Sequence, residues 1–399
     1  MSRRSTTFHN ARLCKGGELV RQTLVVSNET GKFVDGSDDN YIGSDAIDCE
    51  GATIAPGFTE LQTNGCRGFH FTHFRDQDSY TQKLDKVAAY LPTTGVTSFY
   101  ATIPTVASQE FKKILPHLAP RDIPGAASLL GAHAEGPYLH PSKKGAHNAT
   151  LFQTASVSPS EVYGESAENA NVLKLVTIAP ELEDSPGLIK RLTSRDIRVS
   201  LGHSNASYTQ GLTALNAGAT CLTHTLNAMA PLHHREPGLA GLVTIAPTSM
   251  PQNPYLSIIP DGHHLHPSVA TMLFRASPSR CIFITDSIEL AGLPDGTYPG
   301  HAQIPDNQTK EGSRVVIEGT ETLIGGCASL QECVQNVIRW SDCSIAEAVR
   351  CVSENIANLM GDPTRGTLEA GKRADFVLLD DEANVLQTWI AGKKVYNSG

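Results

Sequence analysis

Short apolar runs alternate with amphipathic stretches along most of the chain. Eight runs centre near Ile54, Phe99, Leu130, Val176, Leu201, Leu222, Ile258 and Phe283. Apolar runs of about four to eight residues are typical of parallel strands buried on both faces. Most are separated by stretches with helical periodicity, such as 80–91, 185–194 and 207–217. This eightfold alternation predicts an α/β fold with a (β/α)8 TIM-like barrel.

The two ends of the chain have a different pattern. Residues 1–52 carry short strand-like runs broken by Gly, Asn and Asp, and the tail from 374 has the same character. Neither end has enough strands to be stable alone. We therefore expect a small β-sandwich domain built from residues 1–55 and 362–399, with the barrel in 56–361. The last helices are expected at 330–341 and 344–360.

Polar side chains stand where several apolar runs end. Glu135 follows the third run, His203 the fifth, His224 the sixth, His264 the seventh and Asp286 the eighth. The carboxyl ends of barrel strands gather around one mouth. Taken singly, each residue also fits a structural role, such as a satisfied polar group or a helix cap. Together, two histidines and a glutamate favour a catalytic zinc site with a position open for water.

Composition and charge narrow the class of protein. The 40% apolar and 18% charged content is that of a soluble enzyme, and the net charge of −9 with no basic block argues against nucleic acid as a partner. No apolar run has membrane-spanning length and the first residues do not form a signal peptide, so we expect a cytoplasmic protein without a membrane partner. Nine cysteines without a C-x-x-C pair favour free thiols over a cysteine-ligated zinc site.

Candidate anion ligands follow the sixth and third runs. Arg235 lies in a loop rich in Gly and Pro, and with the N–H groups near Asn227 and Ala228 it could bind a phosphate or a carboxylate. The alternative for Arg235 is a solvated loop residue. His147, in a polar loop, could contact an anion or a hydroxyl. The sequence has no P-loop, no dinucleotide glycine motif and no Gly-x-Ser-x-Gly turn.

These segments resemble the amidohydrolase superfamily and, within it, the family of N-acetylglucosamine-6-phosphate deacetylases. The resemblance spans nearly the whole chain. It is carried by Pro56-Gly-Phe-Thr-Glu-Leu-Gln-Thr-Asn-Gly-Cys66, Ala134-Glu-Gly-Pro137, Lys144-Gly-Ala-His-Asn148, Gly202-His-Ser-Asn-Ala206, Thr223-His-Thr-Leu-Asn-Ala-Met229, Arg235-Glu-Pro-Gly-Leu-Ala-Gly241, Asp261-Gly-His-His264, Thr285-Asp286 and Gly366-Thr-Leu-Glu-Ala-Gly-Lys-Arg-Ala-Asp375. The run from Gly202 to Gly241 is similar to this deacetylase family in particular.

The resemblance implies hydrolysis of the acetamide of N-acetylglucosamine-6-phosphate, with one divalent ion, most simply Zn²⁺, in each chain. By position, the metal ligands are Glu135, His203 and His224, the general base and acid is Asp286, and His264 contacts the acetyl carbonyl or the sugar. Gln62, Asn64 and His147 are expected at the substrate, and Asn227, Ala228 and Arg235 at its phosphate. The resemblance also implies a homodimer, in which Arg235 acts in its own chain or across the interface.

Two departures from the family pattern are visible. Gln62-Thr-Asn64 stands where many superfamily members have His-x-His and a second metal, which favours a single-metal site. The segment from Ile324 to Leu330 has a shifted form of the family's substrate loop, so no role is assigned to it. Two alternatives remain at this stage: a deacylase of the same fold for another N-acyl substrate, such as an N-acyl amino acid, and a catalytically silent barrel that only binds.

Overall fold

The computed structural model describes residues 5–35, 45–245, 253–301 and 304–399. Its centre is a sheet of eight parallel strands whose order in space follows their order in the chain. The strands are Phe58–Thr63, Val96–Pro104, Ser128–Glu135, Leu173–Ile178, Arg198–Leu201, Cys221–Leu222, Tyr255–Ile258 and Cys281–Phe283. The sheet curls until its ends meet, because Thr63 pairs with Ser287 in parallel. The predicted TIM-like architecture is confirmed.

Helices follow the barrel strands and bury their apolar faces against the sheet. In the described residues, the α-helices span Gln77–Tyr90, Ser108–Ile114, Pro159–Tyr163, Ser185–Thr193, Tyr208–Asn216, Pro267–Ala276, Leu330–Ser341, Ile345–Arg350 and Glu354–Met360. Between the sixth and seventh strands, a 3-10 helix at Gly238–Thr244 takes the place of a longer helix. None of the helices in the described part of the chain is long and apolar enough to cross a bilayer.

The prediction for the first barrel strand was wrong. The run around Ile54 forms Thr53–Pro56, which pairs with Phe376–Leu379 and so belongs to a second sheet. The first barrel strand is Phe58–Thr63, which pairs with Val96–Pro104. Gly57 separates the two strands, and a Cβ there would lie 2.3 Å from Thr97 Oγ1, so only glycine fits this change of sheet.

The prediction of one helix over 344–360 was also wrong. The helix that begins after the Ser344 cap ends at Arg350, and a new one begins at Glu354. The break frees the carbonyl groups of Cys351 and Val352, which accept hydrogen bonds from the N–H groups of Phe283 and Thr59. The interruption therefore satisfies backbone donors of the eighth and first barrel strands.

Two further sheets lie outside the barrel, one built from the N-terminal end alone and one from both chain ends. One has four strands: Ser5–His9, Leu24–Ser27, Phe33–Val34 and Asp45–Asp48. The other has six: Arg12–Lys15, Glu18–Arg21, Thr53–Pro56, Phe376–Leu379, Val385–Ile390 and Lys393–Asn397. A buried cluster that includes Phe8, Phe33, Phe376 and Trp389 lies apart from the barrel core, with rings in edge and stacked contacts. The expected pairing of the two ends is therefore present.

A small antiparallel sheet, which the sequence pattern did not predict, follows the eighth barrel strand. Its strands are Gly296–Tyr298, Gln308–Glu311, Arg314–Ile317 and Leu323–Gly326. Ser287 and Gly326 form a parallel bridge that joins this sheet to the barrel. The last strand, at the start of the segment Ile324–Leu330, consequently lies at the barrel mouth.

Candidate active site

A cavity of about 490 Å³ opens at the carboxyl ends of the barrel strands. Every residue that the sequence placed at the site lines it, except Gln62 and Arg235. The lining side chains of that set are Asn64, Glu135, His147, His203, His224, Asn227, Ala228, His264 and Asp286. Strand order thus brings together residues that lie far apart in the chain.

The backbone is unusual at four of these positions, three of which closely follow the end of a barrel strand. His203, His224 and Asp286 have φ angles of 50°, 28° and 45°, in the left-handed region that residues with a Cβ seldom adopt. Such a conformation costs roughly 1–3 kcal/mol each and tends to occur at functional sites. Each lies just beyond its strand, so the turn directs the side chain into the mouth. Backbone strain therefore occurs at three of the five residues that the sequence pattern placed after barrel strands.

Glu135, His203 and His224 meet closely in the barrel mouth. Glu135 Oε1 lies 3.2 Å from His203 Nε2 and 2.9 Å from His224 Nε2, and the two Nε2 atoms are 3.1 Å apart. All three residues are buried. Burial alone would raise the pKa of Glu135, but its contacts with His147, His203 and His224 outweigh this and leave the pKa well below its usual value.

The outer nitrogens of the two histidines face backbone carbonyl groups. His203 Nδ1 lies 2.8 Å from the carbonyl oxygen of Lys143, and His224 Nδ1 lies 3.2 Å from that of Asn227. Since a carbonyl only accepts, each Nδ1 carries hydrogen, and a neutral ring then has its lone pair on Nε2. Burial lowers the pKa of His203 to about 4, which keeps that ring neutral. At His224 burial would also lower the pKa, but the contact with Glu135 outweighs it and raises the pKa. When both rings are neutral, two lone pairs and a carboxylate oxygen at this spacing fit a divalent cation.

Asp286 shares an amide network with the candidate ligands. Gln62 Nε2 donates both to Glu135 Oε1 and to Asp286 Oδ1, each at 3.1 Å, and Asn64 Nδ2 donates to Asp286 Oδ1 at 2.9 Å. Burial, and then the charge of Glu135, raise the pKa of Asp286. Gln62 and Asn64 thus orient the carboxylate of Asp286, although Gln62 does not line the cavity itself.

His264 is held by a carboxylate on the same turn. Its Nδ1 lies 2.7 Å from Oδ2 of the buried Asp261. Burial would raise the pKa of Asp261, but the hydrogen bond with His264 outweighs it and leaves the pKa below its usual value. Because Nδ1 is engaged, His264 presents Nε2 to the cavity. The neighbouring His263 does not line the cavity and contacts Ser313 Oγ at 3.1 Å.

His147 is close enough to compete as a ligand. Ligand atoms of Glu135, His147 and His203 lie within 4.8 Å of one another, and His147 Nε2 is 3.6 Å from Glu135 Oε2. The backbone N–H of Thr105 donates to His147 Nδ1 at 3.2 Å, however. A neutral His147 ring therefore has its hydrogen on Nε2, where it acts as a donor, whereas His224 presents a lone pair.

The expected phosphate contacts are only partly brought together. Asn227 and Ala228 line the cavity, and the φ of 49° at Ala228 continues the tight turn that begins at His224. Arg235 is exposed and lies outside the cavity lining. Its backbone N–H contacts His233 Nδ1 in the same loop.

The structure also brings to the mouth two histidines that the sequence did not single out. His70 and His301 line the same cavity as Asp286. Neither ends a barrel strand: His70 lies in the short strand Phe69–His70, and His301 in the segment before Gln308–Glu311. The spacing His70-x-x-His73 was the only available signal. A third histidine, His133, is buried between Thr102 and Thr177 and is not among the residues that line this cavity.

Comparison with known proteins gives a consistent result. A model of the amidohydrolase family matches residues 53–395. The N-acetylglucosamine-6-phosphate deacetylase of Danio rerio is 37% identical over 98% of this chain and 96% of its own length, and that of Homo sapiens is 33% identical over 98% and 95%. A mutant of the Mycobacterium smegmatis deacetylase, solved in complex with N-acetyl-D-glucosamine-6-phosphate, superposes with a TM-score of 0.83 at 28% identity, covering both chains completely. The chain therefore belongs to the amidohydrolase family and, within it, to the group of the N-acetylglucosamine-6-phosphate deacetylases.

Proposed function

We propose that this chain hydrolyses the acetamide of N-acetylglucosamine-6-phosphate to glucosamine-6-phosphate and acetate. The observation that carries the proposal is the meeting of Glu135 Oε1 with the Nε2 atoms of His203 and His224, all within 3.2 Å, in a cavity that Asp286 also lines. Two of the relatives are named N-acetylglucosamine-6-phosphate deacetylases, and a third was solved in complex with this sugar phosphate. The presence of all three candidate metal ligands argues against a barrel that has lost its catalytic activity.

Glu135, His203 and His224 are proposed to hold one divalent ion, with Zn²⁺ as the metal that fits two imidazoles and a carboxylate. When bound, such an ion lowers the pKa of a coordinated water toward neutrality and polarises a carbonyl oxygen. The side-chain amides of Gln62 and Asn64 donate N–H groups to Asp286 and so act as hydrogen-bond donors, not as metal ligands. Because these two residues stand where a second metal would need histidines, we expect a single ion in each chain.

The remaining chemistry falls to Asp286 and His264. Asp286 takes a proton from the attacking water, whose oxygen bonds to the acetyl carbon, and delivers that proton to the departing amine as the C–N bond breaks. His264, paired with Asp261, donates from Nε2 to the carbonyl oxygen as negative charge develops on it. Gln62 donates hydrogen bonds to the carboxylates of both Asp286 and Glu135 and so fixes their positions relative to each other.

The 6-phosphate is proposed to bind at Asn227 and Ala228 and to receive Arg235 from a partner subunit, with His147 as a further substrate contact. Asn227, Ala228 and His147 line the cavity, whereas Arg235 is exposed outside it. An exposed arginine beside the exposed Leu232, whose relative accessibility is 52%, suits a subunit interface. We therefore propose a homodimer in which each Arg235 completes the other site.

Two further features, the domain division and the cellular location, extend the proposal. The two sheets of the chain ends are proposed to form a separate domain of residues 1–55 and 362–399, supported by their own apolar cluster, with the barrel in 56–361. All nine cysteines are free thiols, which supports work in the cytoplasm.

The test of the proposed function is a substrate panel. Acetate release is measured with N-acetylglucosamine-6-phosphate, N-acetylglucosamine and an N-acetyl amino acid. The proposal predicts the highest kcat/KM on the phosphorylated sugar. A higher value on the amino acid would replace the proposal with a deacylase of different specificity.

Replacing Arg235 by alanine is expected to lower kcat/KM on the phosphorylated sugar by about 10- to 150-fold, since hydrogen bonds to charged groups contribute roughly 1.5–3 kcal/mol each. The loss on the plain sugar should be small, because that substrate has no phosphate. Arg21→Ala, at an exposed arginine on the six-stranded sheet, is the matched control. Equal losses on both sugars would mean that Arg235 has a structural role.

Mixed dimers separate an arginine acting within its own chain from one acting across the interface. Asp286→Asn and Arg235→Ala chains are combined, and activity is compared with that of each variant alone. Across the interface, the Arg235→Ala chain keeps its base and receives the arginine of the other chain, so part of the activity returns. No recovery would place Arg235 in its own chain's site or outside the mechanism.

A further inference from the structure

Glu60 has a buried carboxyl group that the chemistry above does not use. It lies in the first barrel strand, is only 2% exposed, and is not among the residues that line the active-site cavity. Within the part of the chain that the structure describes, it forms no ion pair with a lysine, an arginine or a histidine. Burying a carboxyl group without a cation is costly, so its neighbours should show what the group does.

The neighbours of Glu60 lie where the first and eighth strands meet and close the barrel. The backbone N–H of Asp286 donates to the carbonyl oxygen of Gln62 at 3.0 Å, and the N–H of Asn64 donates to that of Ser287 at 2.8 Å. The N–H of Thr285, one residue before Asp286, has no backbone acceptor in the described residues. The backbone hydrogen bonds between the two strands therefore stop at Asp286.

The side chain of Glu60 continues these hydrogen bonds beyond that point. Its Oε1 accepts from the backbone N–H of Thr285 at 3.3 Å and from that of Gln62 at 3.1 Å. Thr285 directly precedes Asp286, and the side-chain amide of Gln62 donates to Asp286 Oδ1 at 3.1 Å. One buried oxygen thus holds both the backbone next to Asp286 and a residue that contacts its carboxylate.

This support bears on a strained residue. Asp286 has a φ of 45°, and a residue with a Cβ keeps such a conformation only where its surroundings enforce it. We propose that Glu60 is a positioning residue, which holds the N–H groups of Gln62 and Thr285 and so keeps the carboxylate of Asp286 oriented to take a proton. The inference rests on the proposed function, in which Asp286 is the base.

Two substitutions separate the acceptor oxygen of Glu60 from its charge. Burial raises the pKa of Glu60 to about 8, although hydrogen bonds from Thr285 and Gln62 act in the opposite direction, so the protonated form is favoured at neutral pH. Glu60→Gln keeps an uncharged side chain with an accepting oxygen, and its kcat on N-acetylglucosamine-6-phosphate should stay within about 3-fold of the wild type. Glu60→Met is similar in length but has no such oxygen, and should lower kcat by about 10-fold or more.

The KM of Glu60→Met should change little, because Glu60 lies outside the cavity that receives the substrate. The decisive comparison introduces Glu60→Met a second time, into the Asp286→Asn protein. There the further loss of kcat should be less than about 3-fold, since a side chain that cannot take a proton gains nothing from being positioned. A substitution that merely loosened the barrel would cost the same factor in both proteins, and that result would overturn the proposal.

The matched control is Thr59→Val. Thr59 is the buried neighbour of Glu60 on the same strand, and its hydroxyl contacts Ser98 Oγ at 3.0 Å. Because its side chain has no printed bond to Gln62 or Thr285, its loss should leave kcat within about 2-fold even if the protein unfolds at a lower temperature.

Thermal unfolding shows whether each variant keeps the fold. If Glu60→Met does not, Glu60→Asp replaces it, because a carboxyl group one methylene shorter cannot reach both N–H groups and should show the same loss. A Glu60→Gln protein that loses as much as the variant without the contact, or a Glu60→Asp protein with wild-type kcat, would overturn the proposal. A wild type that releases no acetate from this sugar phosphate would instead overturn the proposed function, and with it the role of Asp286.

Discussion

Asp286→Asn is expected to lower kcat on N-acetylglucosamine-6-phosphate by roughly 10²- to 10⁴-fold, the usual contribution of a positioned acid or base. Asparagine keeps the size of the side chain and can still contact Gln62 and Asn64, but it cannot take a proton. KM should change little, because the carboxylate acts mainly in the transition state. The measurement is a steady-state rate profile of acetate release for both proteins.

Metal content separates the role of Asp286 from that of a ligand. The Asp286→Asn protein should keep the metal of the wild type, since Glu135, His203 and His224 are unchanged. If the variant retained more than about half of the wild-type kcat, Asp286 would not be the base. Loss of the metal together with activity would instead make Asp286 a ligand.

His224→Ala should lose most of the bound metal, and with it nearly all activity. The change removes one of three donor atoms that lie within 3.2 Å of one another, and leaves Glu135 and His203 as an incomplete set. Elemental analysis and the rate of acetate release are measured on the same purified sample. Added zinc should restore activity only at concentrations far above those that saturate the wild type.

His263→Ala provides the matched control for this variant. His263 is a histidine at the same mouth, but it faces Ser313 and does not line the cavity. It should keep both metal and activity. A His224→Ala protein with full metal content would transfer the ligand role to another residue, with His147 as the first candidate because its ligand atom lies close to those of Glu135 and His203.

The four residues Glu135, His203, His224 and Asp286 could be placed together from the sequence because parallel strands bring their carboxyl ends to one side. Glu135, His203, His224 and Asp286 each follow an apolar run, so a correct count of strands was enough to bring them together. The distances among them, and the hydrogen bonds that fix each tautomer, depend on loops such as that of Lys143 and could not be read from strand order.

The first barrel strand could not be assigned from pattern alone. Thr53–Pro56 and Phe58–Thr63 are both short, buried and adjacent in sequence. What separates them is a distant partner: the former pairs with Phe376–Leu379 and the latter with Val96–Pro104. The break after Arg350 was missed for a similar reason. It leaves carbonyl groups that accept hydrogen bonds from the barrel strands, and these distant partners do not appear in the periodicity of the helix.

His70 and His301, which line the cavity, were missed because neither residue ends a barrel strand. His301 lies between two short strands, Gly296–Tyr298 and Gln308–Glu311, and strands this short and polar carry little apolar signal. The exposure of Arg235 likewise could not be read from the motif that contains it.

The most direct test of the single-metal mechanism is a metal titration of the chelator-stripped protein, read as acetate release from N-acetylglucosamine-6-phosphate. We expect no activity without metal, a linear rise as zinc is added, and a plateau at one ion per chain. A rise that continues to two ions per chain would contradict the single site formed by Glu135, His203 and His224. Full acetate release from the stripped protein would contradict the metal-dependent mechanism altogether.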